Sequence, residues 1–209
     1  MKIDYKKENK DLYLPKRKPM LIEIPEMQFT TVEGKGDPNE EDGEYQKALG
    51  VLYAVQYTIK MSKMRETIPY GYFDYVVPPL EGLWWLDNNE KIPHKDKSKY
   101  KWISMIRLPE FVDRKTFNLA CSEVQSKKKI NTENVKLFKF KEGLCVQCMH
   151  IGSYDDEPKT LELIENFIKE QNLKNDISDK RKHHEIYLSD PRKIDTDKLK
   201  TVLRIPVRK

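Results

Sequence analysis

The spacing of hydrophobic residues along the chain changes between a period of two, typical of strands, and a period of three to four, typical of helices. The same order of periods occurs in both halves of the chain. Residues 27–34 alternate apolar and polar positions and predict a strand that ends at a glycine. Over residues 45–61, apolar side chains recur every three to four positions, which predicts an amphipathic helix. Two strands are predicted next: one over residues 71–80, which Pro78 and Pro79 stop, and one over residues 99–110, which Pro109 stops. The first half therefore has the order β-α-β-β.

The second half repeats this order. Residues 143–154 predict a strand, and the proline at position 158 starts a helix with apolar residues on one face. Two further strands follow over residues 183–191 and 199–207. Between the two halves, Asp113 is suited to cap a connecting helix.

This pattern predicts an α+β fold built from duplicated β-α-β-β modules with pseudo-twofold symmetry. We expect a mostly antiparallel sheet with helices on one face and a ligand cleft at the seam, on the opposite, concave side. Residues 1–25 are interpreted as an N-terminal arm. Residues 26–209 then form a single domain, with repeats at about 26–110 and 142–208 that a helical connection joins.

Composition narrows the class of protein. The 209 residues are 38% hydrophobic and 35% charged, yet three Trp, eleven Tyr and seven Phe argue against a disordered chain. No apolar run approaches the roughly 18 residues that span a bilayer, and the N-terminus lacks the apolar region of a signal peptide. The three cysteines fit reduced thiols. We expect a soluble, cytoplasmic protein.

Net charge argues against a nucleic-acid partner. The formal charge is +5, but the first 20 residues hold seven Lys and Arg against three Asp and Glu. The rest of the chain is therefore almost balanced, and it offers no excess of positive charge for a basic face.

Glu185 is the strongest candidate for chemistry. Side chains alternate faces along a strand, so Ile186 and Leu188 share one face, whereas Glu185 and Tyr187 share the other. If the apolar pair packs against a helix, the carboxylate points into the cleft among aromatic rings. There it could bind a cation or take a proton from water. An exposed strand glutamate that pairs with a lysine is the alternative.

Aromatic side chains are the second candidate feature, because Trp and Tyr faces suit flat apolar or cationic ligands. Neighbouring tryptophans point to opposite sides of an extended chain, so one of Trp84 and Trp85 is expected to enter the cleft. Ordinary core packing is the alternative for any single ring. The candidate ligand-binding residues are Trp84, Trp85, Tyr75, Tyr187 and Trp102.

Motifs for metal or cofactor binding do not fit their predicted elements. Cys145 and Cys148 are three positions apart in a predicted strand, so their side chains face opposite ways. The histidine pair at residues 183–184 lacks the helical spacing of a zinc protease. We therefore predict no metal and no cofactor.

Several segments together carry a family resemblance that covers nearly the whole chain. They include PEMQFTTVEGKGDP, YVVPPLEGLWW, HIGSYDDEP, HHEIYLSDPRK and LKTVLRIPV. In this order they resemble the GyrI-like (gyrase-inhibitor-like) small-molecule-binding family, and in particular its stand-alone bacterial members with an N-terminal arm. The resemblance implies two β-α-β-β modules about a pseudo-twofold axis.

The resemblance also implies two functions. Some relatives are ligand domains of multidrug-responsive regulators, and others resemble cyclopropanoid hydrolases, which open the strained ring of DNA-alkylating compounds. Carried over, Glu185 and Tyr154 would be catalytic, and Trp84 or Trp85 would form the aromatic wall. We expect a hydrolase that detoxifies electrophilic, lipophilic compounds; the alternative is a non-catalytic binder or sensor of lipophilic cations. The expected partner is a lipophilic, aromatic or cationic small molecule, with a homodimer left open.

Overall fold

Seven strands and five α-helices make up the described part of the chain, which in this computed structural model comprises residues 2–65, 68–87, 92 and 96–209. The strands are β1 (Met20–Lys35), β2 (Leu80–Trp85), β3 (Lys101–Arg107), β4 (Lys136–Ile151), β5 (Lys174–Asn175), β6 (His183–Tyr187) and β7 (Lys200–Arg208). The helices are α1 (Tyr5–Glu8), α2 (Lys10–Tyr13), α3 (Glu44–Lys60), α4 (Arg114–Lys128) and α5 (Glu157–Glu170).

The sheet closes into a barrel. Its strand order is β4-β1-β3-β2-β6-β7, every neighbouring pair is antiparallel, and β4 also pairs with β7. The duplicated order holds, because β1-α3-β2-β3 is followed by β4-α5-β6-β7. The α+β prediction is therefore confirmed. Strands β2 and β6 meet at the seam, where Gly82 lies opposite Glu185.

The strand predicted over residues 71–80 is misplaced. Strand β2 begins at Leu80, directly after the two prolines, and ends at Trp85. It lies between β3 and β6 and pairs with both of them. A proline has no N–H to donate to such a ladder, so Pro78 and Pro79 precede the central strand rather than end it.

The long helices lie on the outer face of the barrel. Helix α3 places Leu52, Val55 and Ile59 against the first half, in one core cluster with Trp102 and with residues of α4. Helix α5 packs Ile164 and other apolar residues against strands β4 and β7 of the second half. The gap between α3 and α5 lies over the seam of β2 and β6, and it holds the candidate site.

The barrel interior contains a buried charge network. Arg204 Nη1 donates to Glu142 Oε2 at 2.9 Å, and both ring nitrogens of His184 lie 3.0 Å from carboxylate oxygens of Glu142 and Glu81. A neutral imidazole has one N–H, whereas the imidazolium donates twice. Two cations therefore face two carboxylates in a site that is at most 2% exposed.

The N-terminal segment closes one end of this interior. Tyr13 is 1% exposed, and its hydroxyl donates to Glu81 at 3.3 Å. The carbonyl of Leu12 accepts from Arg204 Nη2 at 3.0 Å. Strand β1 begins at Met20, so the boundary placed near residue 25 falls inside a strand that pairs with β4.

Candidate active site

A cavity of about 740 Å³ opens on the outer face of the barrel, between α3 and the start of α5. The seam was the correct place for it, but the concave side opposite the helices was the wrong face. Closure of the sheet makes that side the barrel interior, which Phe29, Met105 and the charge network fill. The helices sit apart over the seam, and the cavity lies in the space between them.

Aromatic side chains dominate the described part of the cavity wall. The ring centroids of Tyr45 and Trp84 are 5.4 Å apart, those of Trp84 and Tyr100 are 5.7 Å apart, and Tyr154 stands edge-on to Tyr187 at 6.0 Å. Such surfaces suit flat, apolar ligands. The aromatic residues in the wall are Tyr45, Tyr53, Tyr57, Trp84, Tyr100, Tyr154 and Tyr187.

The Glu185 carboxylate is held by two donors on its own strand. Residues 183, 185 and 187 share one face of β6, as strand alternation requires. The Tyr187 hydroxyl donates to Oε2 at 2.8 Å, and His183 Nε2 lies 3.0 Å from Oε1. The contact is a hydrogen bond to the carboxylate in the tautomer that carries a proton on Nε2. Glu185 is only 7% exposed, so its carboxylate is fixed in position and largely shielded from bulk water.

The hydrogen-bond chain continues into strand β2. Trp84 Nε1–H donates to the Tyr187 hydroxyl at 2.8 Å, so the single hydroxyl proton is left to point at Glu185. Gly82 makes room for this arrangement: a Cβ atom there would lie 2.5 Å from Trp84 Nε1 and 3.2 Å from the Tyr187 hydroxyl. A glycine opposite Glu185 therefore lets the indole reach Tyr187.

We expect Gly82→Ala to lower the free energy of unfolding by about 1–3 kcal/mol, the usual cost of forcing an extra methyl group into a packed site. The methyl group would displace the Trp84 indole from Tyr187, so tryptophan emission should shift as well. Gly50→Ala is the control, because a Cβ there meets no atom within 4 Å and helix α3 favours alanine. Chemical unfolding and fluorescence measure both effects; equal stabilities of the two variants would contradict this account of Gly82.

A second acidic side chain, Glu157, borders the cavity at the first residue of α5. It is 4% exposed, and its Oε1 has no hydrogen-bond partner among the described residues. Burial, followed by the negative charge of Glu185, raises the Glu157 pKa well above its ordinary value. The helix dipole favours the ionised form by only about 0.3–1 kcal/mol. A buried, unpaired carboxylate costs several kcal/mol, so the protonated form is favoured.

Tyr154 also borders the cavity. Burial raises its pKa to about 12, and the negative charge of Glu185 adds to the shift. Burial likewise raises the Tyr187 pKa well above its ordinary value, and Glu185 adds to it. Both hydroxyls therefore remain protonated donors at neutral pH.

Four of the predicted site residues come together in the cavity wall: Trp84, Tyr154, Glu185 and Tyr187. Three others lie elsewhere. Trp102 is fully buried beneath Tyr45, and its ring covers Gly34. Trp85 points away from the cavity, because strand alternation turns it opposite to Trp84, and Lys182 lies 4.9 Å above its ring. Tyr75 is buried next to Phe73 and Phe111, before β2 begins.

His183 and Glu157 are site residues that the sequence pattern did not identify. The signal for His183 was its position two residues before Glu185 on one strand face. Glu157 belongs to the acidic segment 155–157, which is typical of a helix start and so concealed a buried carboxyl.

Comparison with known proteins agrees with this fold. The model of the GyrI-like small molecule binding domain matches residues 17–208. The chain belongs to the GyrI-like family. A crystal structure of a hydrolase from Listeria innocua is similar to this GyrI-like chain at 50% identity, with 100% of both chains covered and a TM-score of 0.92. A second hydrolase structure from Listeria innocua is 49% identical, covers 99% of this chain and 100% of its own, and has a TM-score of 0.90.

A third crystal structure, of an uncharacterized conserved protein from Listeria innocua, is 50% identical and has a TM-score of 0.93. It covers 99% of this GyrI-like chain and 100% of its own. No curated protein matches the chain significantly. In the described residues, no helix is long and apolar enough to cross a membrane. The same residues contain no group of three His, Cys, Asp or Glu that could hold a metal ion.

Proposed function

We propose that this GyrI-like protein hydrolyses electrophilic, lipophilic small molecules, with Glu185 as the general base. The observation that carries the proposal is a buried carboxylate, fixed by Tyr187 and His183, in the wall of an aromatic cavity. The two Listeria innocua structures described as hydrolases, at about half identity over the full chain, support the reaction class. The family description supports a small-molecule substrate.

A spirocyclopropyl cyclohexadienone illustrates the reaction. The water oxygen forms a bond to a ring carbon, the strained C–C bond breaks, and its electron pair moves onto the carbonyl oxygen. Glu185 takes the proton that the water loses. Tyr154 donates a hydrogen bond to the oxygen that becomes negative. The product is an alcohol that carries a phenol-type oxygen.

Hydrogen bonds to Glu185 leave room for this water. An ionised carboxylate offers about four lone-pair sites, and the donors identified in the structure are Tyr187 and His183. The remaining acceptor sites serve the attacking water. Tyr187 holds the carboxylate in place without competing for the proton, because its raised pKa keeps the hydroxyl protonated.

Turnover of a spirocyclopropane alkylator tests the proposal. Purified protein should convert the probe to the ring-opened alcohol, which mass spectrometry identifies by the mass of one added water. Heat-denatured protein is the control for spontaneous solvolysis. If the native protein opened the probe no faster than this control, the hydrolase proposal would be wrong for this class of substrate.

Binding of lipophilic cations without chemistry is the second candidate function. A buried carboxylate beside Trp84 and several Tyr rings is also a suitable site for a flat cation. On this account, a cationic aromatic dye quenches tryptophan emission and is recovered unchanged after long incubation. We expect Glu185→Gln to weaken dye binding by about tenfold or more, the equivalent of one lost charge interaction. Equal quenching curves for the two proteins would contradict this role of the carboxylate.

A further inference from the structure

Glu157 is a buried acidic group that the reaction described so far does not use. Its side chain borders the same cavity as Glu185 and Tyr154, and the residue is 4% exposed. Its Oε1 has no hydrogen-bond partner in the described part of the chain. A buried polar atom without a partner is uncommon in proteins and calls for an explanation. A ligand in the cavity would supply the missing partner.

The groups that face Glu157 favour its protonated form. Strand β6 contributes the negative charge of Glu185, and the short helix Tyr154–Asp156 contributes the Tyr154 hydroxyl and the Asp155 carboxylate. Among the described residues, the cation that faces Glu157 is Lys97, whose Nζ already lies 3.5 Å from Asp155 Oδ1. Two negative charges therefore oppose ionisation of Glu157, and the Lys97 charge is shared with Asp155.

We propose that Glu157 is the general acid of this cavity. Its carboxyl proton forms a hydrogen bond to a carbonyl oxygen of the ligand, and it is transferred to that oxygen when the oxygen becomes negative. This inference rests on the proposed hydrolase function and adds a division of roles between two glutamates. Glu185 is the base and Glu157 the acid. The favoured substrates carry a carbonyl oxygen conjugated to the electrophilic carbon.

The proton balance closes without a co-reactant. Water loses one proton to Glu185 as its oxygen bonds to carbon, and the carbonyl oxygen gains one proton from Glu157 as the C–C bond breaks. Solvent then carries the proton from Glu185 back to Glu157 after the product leaves. The overall reaction adds one water molecule to the substrate.

Glu157 is better suited than Tyr154 to transfer this proton. The ring-opened product is a phenol, and phenols have a pKa of about 10. Tyr154, with a pKa of about 12, is a weaker acid than this product and therefore keeps its proton. A carboxyl group has an ordinary pKa of about 4.3, and buried glutamic acids reach about 8–9, which is still below the pKa of a phenol. Tyr154 then orients the oxygen, and Glu157 protonates it.

The test compares the full-length wild type with Glu157→Gln, using a spirocyclopropyl dienone probe. Glutamine still donates a hydrogen bond but has no proton to transfer, so kcat should fall by about 10²–10⁴-fold with little change in KM. The wild-type kcat should also fall at high pH as Glu157 ionises, and this limb should be absent from the variant. Glu162→Gln is the matched control, because Glu162 is exposed on the same helix. An unchanged kcat in Glu157→Gln would overturn the inference.

An infrared measurement tests the protonated carboxyl without any turnover. The wild type at pH 7 should show the C=O stretching band of a protonated carboxylic acid, and Glu157→Gln should lack it. Both proteins are first shown to melt cooperatively, since the variant preserves the shape of the side chain. Absence of the band from the wild type would overturn the inference.

Failure of the hydrolase proposal is distinguishable from failure of this inference. If the wild type leaves the probe unopened, the hydrolase proposal fails, and binding of the intact probe decides the role of Glu157. A loss of about tenfold in affinity in Glu157→Ala, with affinity kept in Glu157→Gln, would support a carboxyl that donates a hydrogen bond to the ligand. Equal affinities of Glu157→Ala and wild type would overturn it.

Discussion

Glu185→Gln should reduce ring opening of a spirocyclopropane probe by about 10²–10⁴-fold, the usual contribution of a positioned general base. The amide has the shape of the carboxylate but cannot accept the proton that water loses. The probe should still bind, because the aromatic wall formed by Trp84, Tyr45 and their neighbours is unchanged. Single-turnover kinetics separates the two effects, since it reports bond breaking independently of product release.

The matched control for this prediction is Glu33→Gln. Glu33 is an exposed strand glutamate on β1, outside the cavity, and its replacement should leave turnover unchanged. Thermal melting of Glu185→Gln checks that the contacts with Tyr187 and His183 are not needed for folding. A variant that folds and turns over the probe at the wild-type rate would remove Glu185 from the chemistry.

The order of the elements could be predicted from local patterns, but the shape of the sheet could not. Alternation along residues 183–187 and the helical period over 45–61 are local signals, and both elements are present. Closure of the barrel depends on the pairing of β4 with β7, in which Cys145 lies opposite Pro206. No local period encodes that pairing, because it depends on the twist of the whole sheet.

The same limit explains which site residues could be found. Strand alternation correctly put Glu185 and Tyr187 on one face, since it needs only neighbouring residues. It could not identify what the opposite face meets. Ile186 packs with Tyr13 of the short helix α2 rather than with one of the long outer helices, and His184 meets Glu142, which is 42 residues away in the chain. Partners that distant are fixed by the tertiary fold.

The charge network inside the barrel should be the most sensitive part of the fold. Burial opposes ionisation of Glu142, but the charges of His184 and Arg204 outweigh it and lower the Glu142 pKa from 4.5 to about 2. The His184 pKa is raised from 6.5: burial alone would lower it, but Glu142 and the hydrogen bond with Glu81 more than compensate. Each charge is therefore held in place by its partners.

We expect Glu142→Gln to lower the free energy of unfolding by about 3–5 kcal/mol, because it leaves Arg204 and His184 buried with a single carboxylate. For a domain of this size, that loss corresponds to a fall in melting temperature of roughly 10 °C. A buried ion pair need not be stabilising as a whole, but removal of one partner leaves an uncompensated charge. Chemical unfolding measures the loss, with Glu162→Gln as the control.

The stability difference between wild type and Glu142→Gln should depend on pH in two opposite directions. A lowered pKa contributes stability above the unfolded value, so the Glu142 contribution is lost as the pH falls from 4.5 towards 2. A raised pKa contributes stability below the unfolded value, so the His184 contribution is lost as the pH rises beyond 6.5 through the folded pKa. The network should therefore stabilise the barrel most between about pH 5 and 6.5. If the difference between the two proteins stayed constant from pH 3 to pH 9, these four side chains would not act as a charged network.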